Sequence, residues 1–463
     1  MFFSTSFIFP IITSLIYKDG ALSVFLITFS IVFIVGFIGW LMSRNTGEDM
    51  SHKDGFLVIT LFWVVLSSAG SIPFMLSGMT FIDSFFESMS GITTTGATVI
   101  SNLSTLPESL LLYRQLLQWM GGMGLIVLAI AVMPLLGIGG GQLYKTEIPG
   151  AMNDQKLTPR IKETAQALWL IYLLLTVCCA LFYFFAGMNA FDAISHSLST
   201  VSIGGFSTYD QSIGYFNNGM VEAVCIIFML LSALSFTLHY FAFYMKKPIK
   251  YLYDPELRFF ISIMAIIFLL SVLMNYISTQ EQASIRELLF HSVSIVTTTG
   301  FSIGDTNQWS PSIGFLFLIG AFIGACSGSV GGGIKSWRVL IMINYAYINL
   351  KKMIHPNAVI TLKIGTKSVE NDVAASVWGF FSIYVISFII LLLGLVATGL
   401  DFQSAFSAIG ACLNNLGPGL GEVAQTYDSV STLGKGILSF AMILGRLEIF
   451  TLLVLFTPIF WQK

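Results

Sequence analysis

Charge is scarce in this chain: 10% of its 463 residues are Asp, Glu, Lys or Arg, whereas 55% are hydrophobic. An ordinary soluble domain carries about 25% charged residues, so that class is excluded, and no nucleic acid is expected as a partner. Cysteine is almost as rare. Cys178, Cys179, Cys225, Cys326 and Cys412 lie in or beside apolar stretches, without the spacing of a metal site or a disulfide framework. A nucleophile motif, a metal-binding set and a nucleotide loop are all missing, which argues against an enzyme. The opening "MFFSTSFIFPIITSLIYKDG" lacks a basic leader region and a small-residue cleavage site, so it is expected to stay as a spanning helix. Strict alternation of apolar and polar residues is also absent, which excludes a membrane β-barrel.

What is present is a succession of apolar runs of about 20 residues, the length that crosses a roughly 30 Å hydrocarbon core. An all-α membrane protein is expected, with its polar surroundings supplied by lipid. The runs predict spanning helices near residues 2–17, 21–42, 55–78, 112–137, 163–186, 219–245, 257–277, 312–350, 373–398 and 433–460. With both termini cytoplasmic, 15 of the 22 basic residues fall on the inside and 4, Lys18, Arg114, Arg286 and Lys435, outside, leaving Lys335, Arg338 and Arg446 within apolar runs. The positive-inside rule favours this orientation.

Four connections are too apolar and too patterned for plain loops: "FIDSFFESMSGITTTGATV", "AFDAISHSLSTVSIGGFST", "RELLFHSVSIVTTTGFSIG" and "DFQSAFSAIGACLNNLGPGLG". They align on Gly96, Gly205, Gly300 and Gly417. Thirteen residues before the glycine stand Asp83, Asp192 and Glu287, and six before it Ser90, Ser199 and Ser294; the fourth copy departs, with Ser404 and Ala411. The acids sit where a helix dipole favours them and could also attract cations. His196 and His291, nine before the glycine, are expected to pack behind the loops. An internal fourfold repeat of span, short helix, polar loop and span follows. Residues 1–54 form two additional N-terminal helices; the repeats occupy 55–162, 163–255, 256–372 and 373–463.

Irregular backbone at membrane depth must be satisfied by protein or water. Four parallel copies meet that condition by surrounding a common axis, where a glycine lets successive carbonyl oxygens turn inward and replace the water around a cation. A monovalent cation pathway is the leading expectation. The alternative is an ion-coupled secondary transporter with alternating access, although such folds often use inverted repeats and these are parallel. A second irregular stretch, "GACSGSVGGGIKSW", breaks the run 312–350. Its glycines rule out a stable helix interior and predict an intramembrane loop. "GGGIKS" is not a phosphate loop, since Lys335 does not follow the glycine directly and no strand precedes it. Arg446 and Glu448 lie within the last apolar run, where an ionisable residue is a functional candidate; an ion pair or snorkelling is the alternative.

On these loops, on "LLYRQLLQWMGGMGLIVLAIAVMPLLGIGGGQLYKTEIPG", on "GACSGSVGGGIKSWR" and on "GRLEIFTLLVLFTPIFW", the chain resembles the TrkH/KtrB family of potassium transporters, and its two extra N-terminal helices favour the TrkH branch. The resemblance implies potassium uptake across a prokaryotic inner membrane through a filter within one subunit. The filter would comprise Thr94, Thr95 and Gly96; Ile203, Gly204 and Gly205; Thr298, Thr299 and Gly300; and Asn415, Leu416 and Gly417. Gly96, where sodium-preferring plant members have serine, implies potassium. The resemblance further makes the glycine loop a gate, with Gly331, Gly332, Gly333 and Lys335 beside Arg446, which would act as an electrostatic barrier below the filter. It implies a homodimer and a cytosolic TrkA-type regulatory ring, the only place where a nucleotide is expected, contacting residues 138–162 and 351–372.

Overall fold

The computed structural model describes residues 1–44, 52–127, 160–278, 283–304, 309–365 and 367–462. Among the described residues the regular structure is helical, apart from a hairpin of two short strands, β1 (Lys363–Ile364) and β2 (Lys367–Ser368). The first two helices are α1 (Ile8–Tyr17), preceded by a 3-10 turn, and α2 (Leu22–Ser43). The first repeat holds α3 (His52–Leu76), α4 (Phe81–Ile92) and α5 (Glu108–Val127). The second holds α6 (Arg160–Phe185), α7 (Ala190–Val201), α8 (Gly219–Ala233) and α9 (Phe236–Phe243). The third holds α10 (Pro255–Ile277), α11 (Ile285–Val296), α12 (Pro311–Ile323) and α13 (Ser336–Ile354). The fourth holds α14 (Asn371–Val396), α15 (Phe402–Leu413), α16 (Thr432–Arg446) and α17 (Phe450–Leu453).

The four short helices α4, α7, α11 and α15 have 12 residues each and stop four residues before the aligned glycine. Each starts from a side-chain cap sixteen residues before that glycine. Thr80, Asn189, Ser284 and Asp401 accept from the backbone N–H three residues on, at 3.2, 2.8, 3.2 and 3.0 Å. A free N–H at a helix start is thereby paired in every copy. The fourth repeat is therefore in register. Its acid stands on the cap itself, Asp401, and not at the third helical position where the other copies have Asp83, Asp192 and Glu287.

Two expected spans are not straight. The run 219–245 breaks between α8 and α9 with a bend of 96°, and the run 433–460 breaks after Arg446 with a bend of 111°. The first break survives because the glycine loop satisfies it: Cys326 N–H donates to Ala233 O at 3.1 Å and Phe236 N–H to Gly328 O at 3.0 Å. At the second, Glu448 and Ile449 adopt left-handed backbone, with φ of +56° and +42°. Arg446 accordingly terminates a helix and is not embedded mid-span. The run 312–350 is two helices, α12 and α13, parted by the glycine loop as its composition requires. Residues 128–137 of the expected span 112–137, and most of segment 138–162, lie outside the described residues.

Buried apolar side chains form two main clusters. One is shared chiefly by the first and fourth repeats, around Trp63, Phe86, Ala408 and Met442, and the other by the second and third, around Tyr172, Met229, Leu288 and Phe317. Outward residues such as Ile27, Leu170, Leu269 and Ile390 are apolar and exposed, as a lipid-facing surface requires. Cap loss tests the local argument. Asn189→Ala should destabilise the protein by about 1 kcal/mol and lower its thermal midpoint in detergent, whereas Asn189→Ser, which keeps an oxygen to accept from Asp192 N–H, should lose less; equal midpoints for the alanine variant and wild type would show that the cap does not stabilise the helix.

Candidate functional site

The segment after each short helix follows one backbone path. The residue before the glycine donates its N–H to the carbonyl five positions back: Thr95 to Ser90, Gly204 to Ser199, Thr299 to Ser294 and Leu416 to Ala411, at 2.7 to 2.9 Å. Two residues before the glycine, Thr94, Ile203, Thr298 and Asn415 have φ of +54°, +53°, +63° and +51°. These non-glycine residues are held in a conformation that costs each about 1 kcal/mol or more. The glycines follow with φ of +83°, +80°, +84° and +96°. Sequence and side chains differ between copies, yet the backbone repeats.

The four segments close on one another. A Cβ placed on Gly96 would collide with the carbonyl oxygen of Gly204, one on Gly205 with that of Thr299, one on Gly300 with that of Leu416, and one on Gly417 with that of Thr95. The contacts run from first repeat to second, third, fourth and back to first. All four glycines also line a single cavity of 860 Å³. The expected filter residues are thus brought together as a closed ring facing one opening.

Side chains secure the outside of the ring. Thr93 and Thr95 share a hydroxyl hydrogen bond of 2.8 Å, as do Thr297 and Thr299. In the fourth quarter, which lacks threonines, Asn415 Nδ2 donates to Thr95 Oγ1 at 3.0 Å and to Met442 O at 3.1 Å. Tyr384 hydroxyl donates to Asn414 Oδ1 at 2.8 Å. Amide and phenol groups there do the work that threonine hydroxyls do in the first and third quarters.

The glycine loop lies against the other side of the ring. Gly332 N–H donates to Thr298 Oγ1 at 2.7 Å, and Gly333 N–H donates to Asn414 O at 3.2 Å. A Cβ on Gly332 would overlap Asn414 O, so close backbone approach requires glycine there. Lys335 Nζ folds back onto Gly331 O. Arg446 donates to Val330 O at 3.0 Å and to Gly121 O at 3.1 Å, and its guanidinium lies 5.7 Å from the Trp63 ring centre. Gly331, Gly332, Gly333, Lys335 and Arg446 all line a cavity of 30 Å³. Glu448 pairs with Arg338 at 2.5 Å, and Arg446 has no carboxylate partner among the described contacts.

Several anchors escaped sequence reasoning. Arg114, counted only as an outside basic residue, is buried and holds Glu87 at 2.8 Å. Gln118, one turn later on α5, donates to Gly204 O at 2.6 Å and accepts from Ser199 Oγ and Phe206 N–H. Glu256 accepts from Ser327 N–H of the glycine loop at 2.5 Å. One signal was available: Glu87, His196 and His291 occupy the same place, nine before the glycine. His196 does pack behind its loop, with Nδ1 donating to Asp192 O at 2.9 Å and Nε2 at 3.0 Å from Ser207 Oγ.

Comparison with known proteins follows the same lines. The TrkH family profile, described as cation transport protein, matches residues 21–463. The Trk system potassium uptake protein TrkH of Halomonas elongata is 48% identical over 468 residues, covering 100% of this chain and 97% of that protein. Its namesake from Escherichia coli K12 is 46% identical over 467 residues, with the same coverage. The crystal structure of the potassium transporter TrkH from Vibrio parahaemolyticus superposes with a TM-score of 0.91 at 46% identity, covering 100% of this chain and 97% of that one.

Of the two hydrogen bonds just described between loop and ring, one runs through a side-chain hydroxyl. Thr298→Val removes the acceptor of Gly332 N–H while keeping the side-chain shape, and leaving a buried N–H unpaired costs roughly 1–3 kcal/mol. Hydrogen exchange in the loop around residues 329–335 should accelerate about tenfold; unchanged exchange would show that the bond does not hold the loop.

Proposed function

The chain belongs to the TrkH family of cation transport proteins, and from this we propose that it takes up potassium through a filter formed by Thr94, Thr95 and Gly96, Ile203, Gly204 and Gly205, Thr298, Thr299 and Gly300, and Asn415, Leu416 and Gly417. The observation that carries the reading is the closed ring, in which each glycine lies against a carbonyl of the next repeat. A potassium ion entering from the large cavity sheds water, and the ring's carbonyls replace it. Because the ring is held from outside by hydroxyl, amide and guanidinium groups, its oxygens need little rearrangement when the ion arrives.

The glycine loop is the gate, with Gly331, Gly332 and Gly333 beneath the ring and Lys335 folded onto it. Arg446 has two tasks in this reading. Its hydrogen bonds to Val330 and Gly121 tie the loop to two other repeats, and its buried positive charge raises the barrier to a cation passing below the filter. Loop movement away from Thr298 and Asn414 opens the path. The protein functions in a prokaryotic inner membrane with both termini cytoplasmic, as a homodimer regulated by a cytosolic TrkA-type nucleotide-binding ring; the relatives' names, which refer to a Trk system, support a multi-component assembly.

Growth of a potassium-uptake-deficient bacterium on low potassium, with the regulatory partner supplied, tests the filter. Wild type should restore growth and Gly300→Ala should not, because its Cβ would meet the Leu416 carbonyl and alanine disfavours a φ of +84°. Equal rescue by both would overturn the filter assignment. In rubidium-tracer uptake normalised to membrane content, Arg446→Ala should raise the initial rate; an unchanged rate would sink the barrier.

A further inference from the structure

The ring is held unevenly, and the unevenness lies in one buried ion pair. Arg114 and Glu87 are 1% and 0% exposed, with Arg114 Nε 2.8 Å from Glu87 Oε1. The remaining bonds of the pair all go to residues just beyond two of the ring's glycines. Arg114 Nη2 donates to Thr98 Oγ1 at 3.1 Å, and Nη1 donates to Ser207 O at 3.0 Å. Glu87 Oε2 accepts from Thr98 Oγ1 and from Val99 N–H, both at 3.0 Å. The Phe206 ring, in the residue after Gly205, lies 4.3 Å beneath the guanidinium. One planar fork therefore holds the Thr98 hydroxyl two residues after Gly96 and the Ser207 carbonyl two residues after Gly205, while Glu87 holds the backbone N–H of Val99.

The other half of the ring has nothing equivalent among the described residues. The place of Glu87 is taken in the third repeat by His291, whose Nε2 has no hydrogen-bond partner. In the fourth it is taken by Ala408, which offers no polar atom. Neutral hydroxyl bonds serve there, such as Ser294 Oγ to Phe301 O at 2.7 Å and Ser407 Oγ to Leu420 O at 3.2 Å. Hydrogen bonds between charged partners are roughly twice as strong as neutral ones, and a guanidinium adds fixed directions to that strength.

We propose that Arg114 and Glu87 are positioning residues for ion selectivity, holding the first and second quarters of the ring at the spacing that suits potassium while the third and fourth quarters adapt. The inference rests on the reading of the ring as a potassium filter. A smaller cation such as sodium gains only if carbonyls move closer together. The charged fork resists that movement on its own side.

The test is competition of sodium and rubidium with potassium during uptake by the full chain with its regulatory partner, expressed as a ratio of apparent affinities. This ratio does not depend on how many copies reach the membrane. Glu87→Gln keeps the shape and an oxygen acceptor but removes the charge, and it should lower the preference for potassium over sodium several-fold while leaving the preference over rubidium nearly intact. Thr98→Val, which removes only the hydroxyl shared by both charged groups, should shift the ratio in the same direction and provides the measurement if the glutamine variant fails to insert. Wild-type ratios in either inserted variant would overturn the proposal. Absence of potassium uptake by wild type would instead overturn the filter reading beneath it.

Discussion

A peptide group left unpaired in hydrocarbon costs several kcal/mol, and this chain interrupts its helices repeatedly at membrane depth. The interruptions are affordable because they satisfy one another. The break after Ala233 is paired by Cys326 and Gly328 of the glycine loop; that loop is paired in turn by Thr298 and Asn414 of the ring. Irregular backbone is drawn to irregular backbone, and regular helices with apolar outer faces surround it. The central placement of ring and loop follows from this constraint before any ion is considered.

The same constraint explains the division of labour between glycine and other residues. Glycines stand where backbones of neighbouring repeats touch, as Gly96 does against Gly204 and Gly332 against Asn414. Two residues earlier the left-handed turn is made by threonine, isoleucine or asparagine. Their side chains are retained for outside contacts at a cost in backbone strain. Asn415 illustrates the exchange: it tolerates the left-handed turn better than threonine does and supplies the bond to Thr95 that its own quarter otherwise lacks.

Much of this was legible in the sequence because it depends on periodicity and composition. The apolar runs, the four aligned glycines and the broken run 312–350 each follow from one local rule. What was not legible depends on partners distant in the chain. The bends after Ala233 and Arg446 leave little trace in hydropathy, since both halves are apolar and the freed backbone groups are paired elsewhere. Arg114 looked like an outside loop charge because its partner Glu87 lies on a different helix. The fourth repeat appeared degenerate for a smaller reason: its acid moved three positions, from helix interior to cap, and an alignment by residue type does not see that Asp401 and Thr80 do the same job.

The order of contacts around the ring has a consequence for biosynthesis. Each quarter is completed by the repeat that follows it, and the last contact joins Gly417 to Thr95, so the first quarter waits for the final one. A nascent chain holding one, two or three repeats cannot enclose an axis. The membrane receiving it therefore meets no partly built conduit during synthesis. Having all four quarters on one polypeptide also gives each its own codons, so a single substitution alters one side of the ring and leaves three unchanged, an adjustment that a ring of four identical chains does not permit.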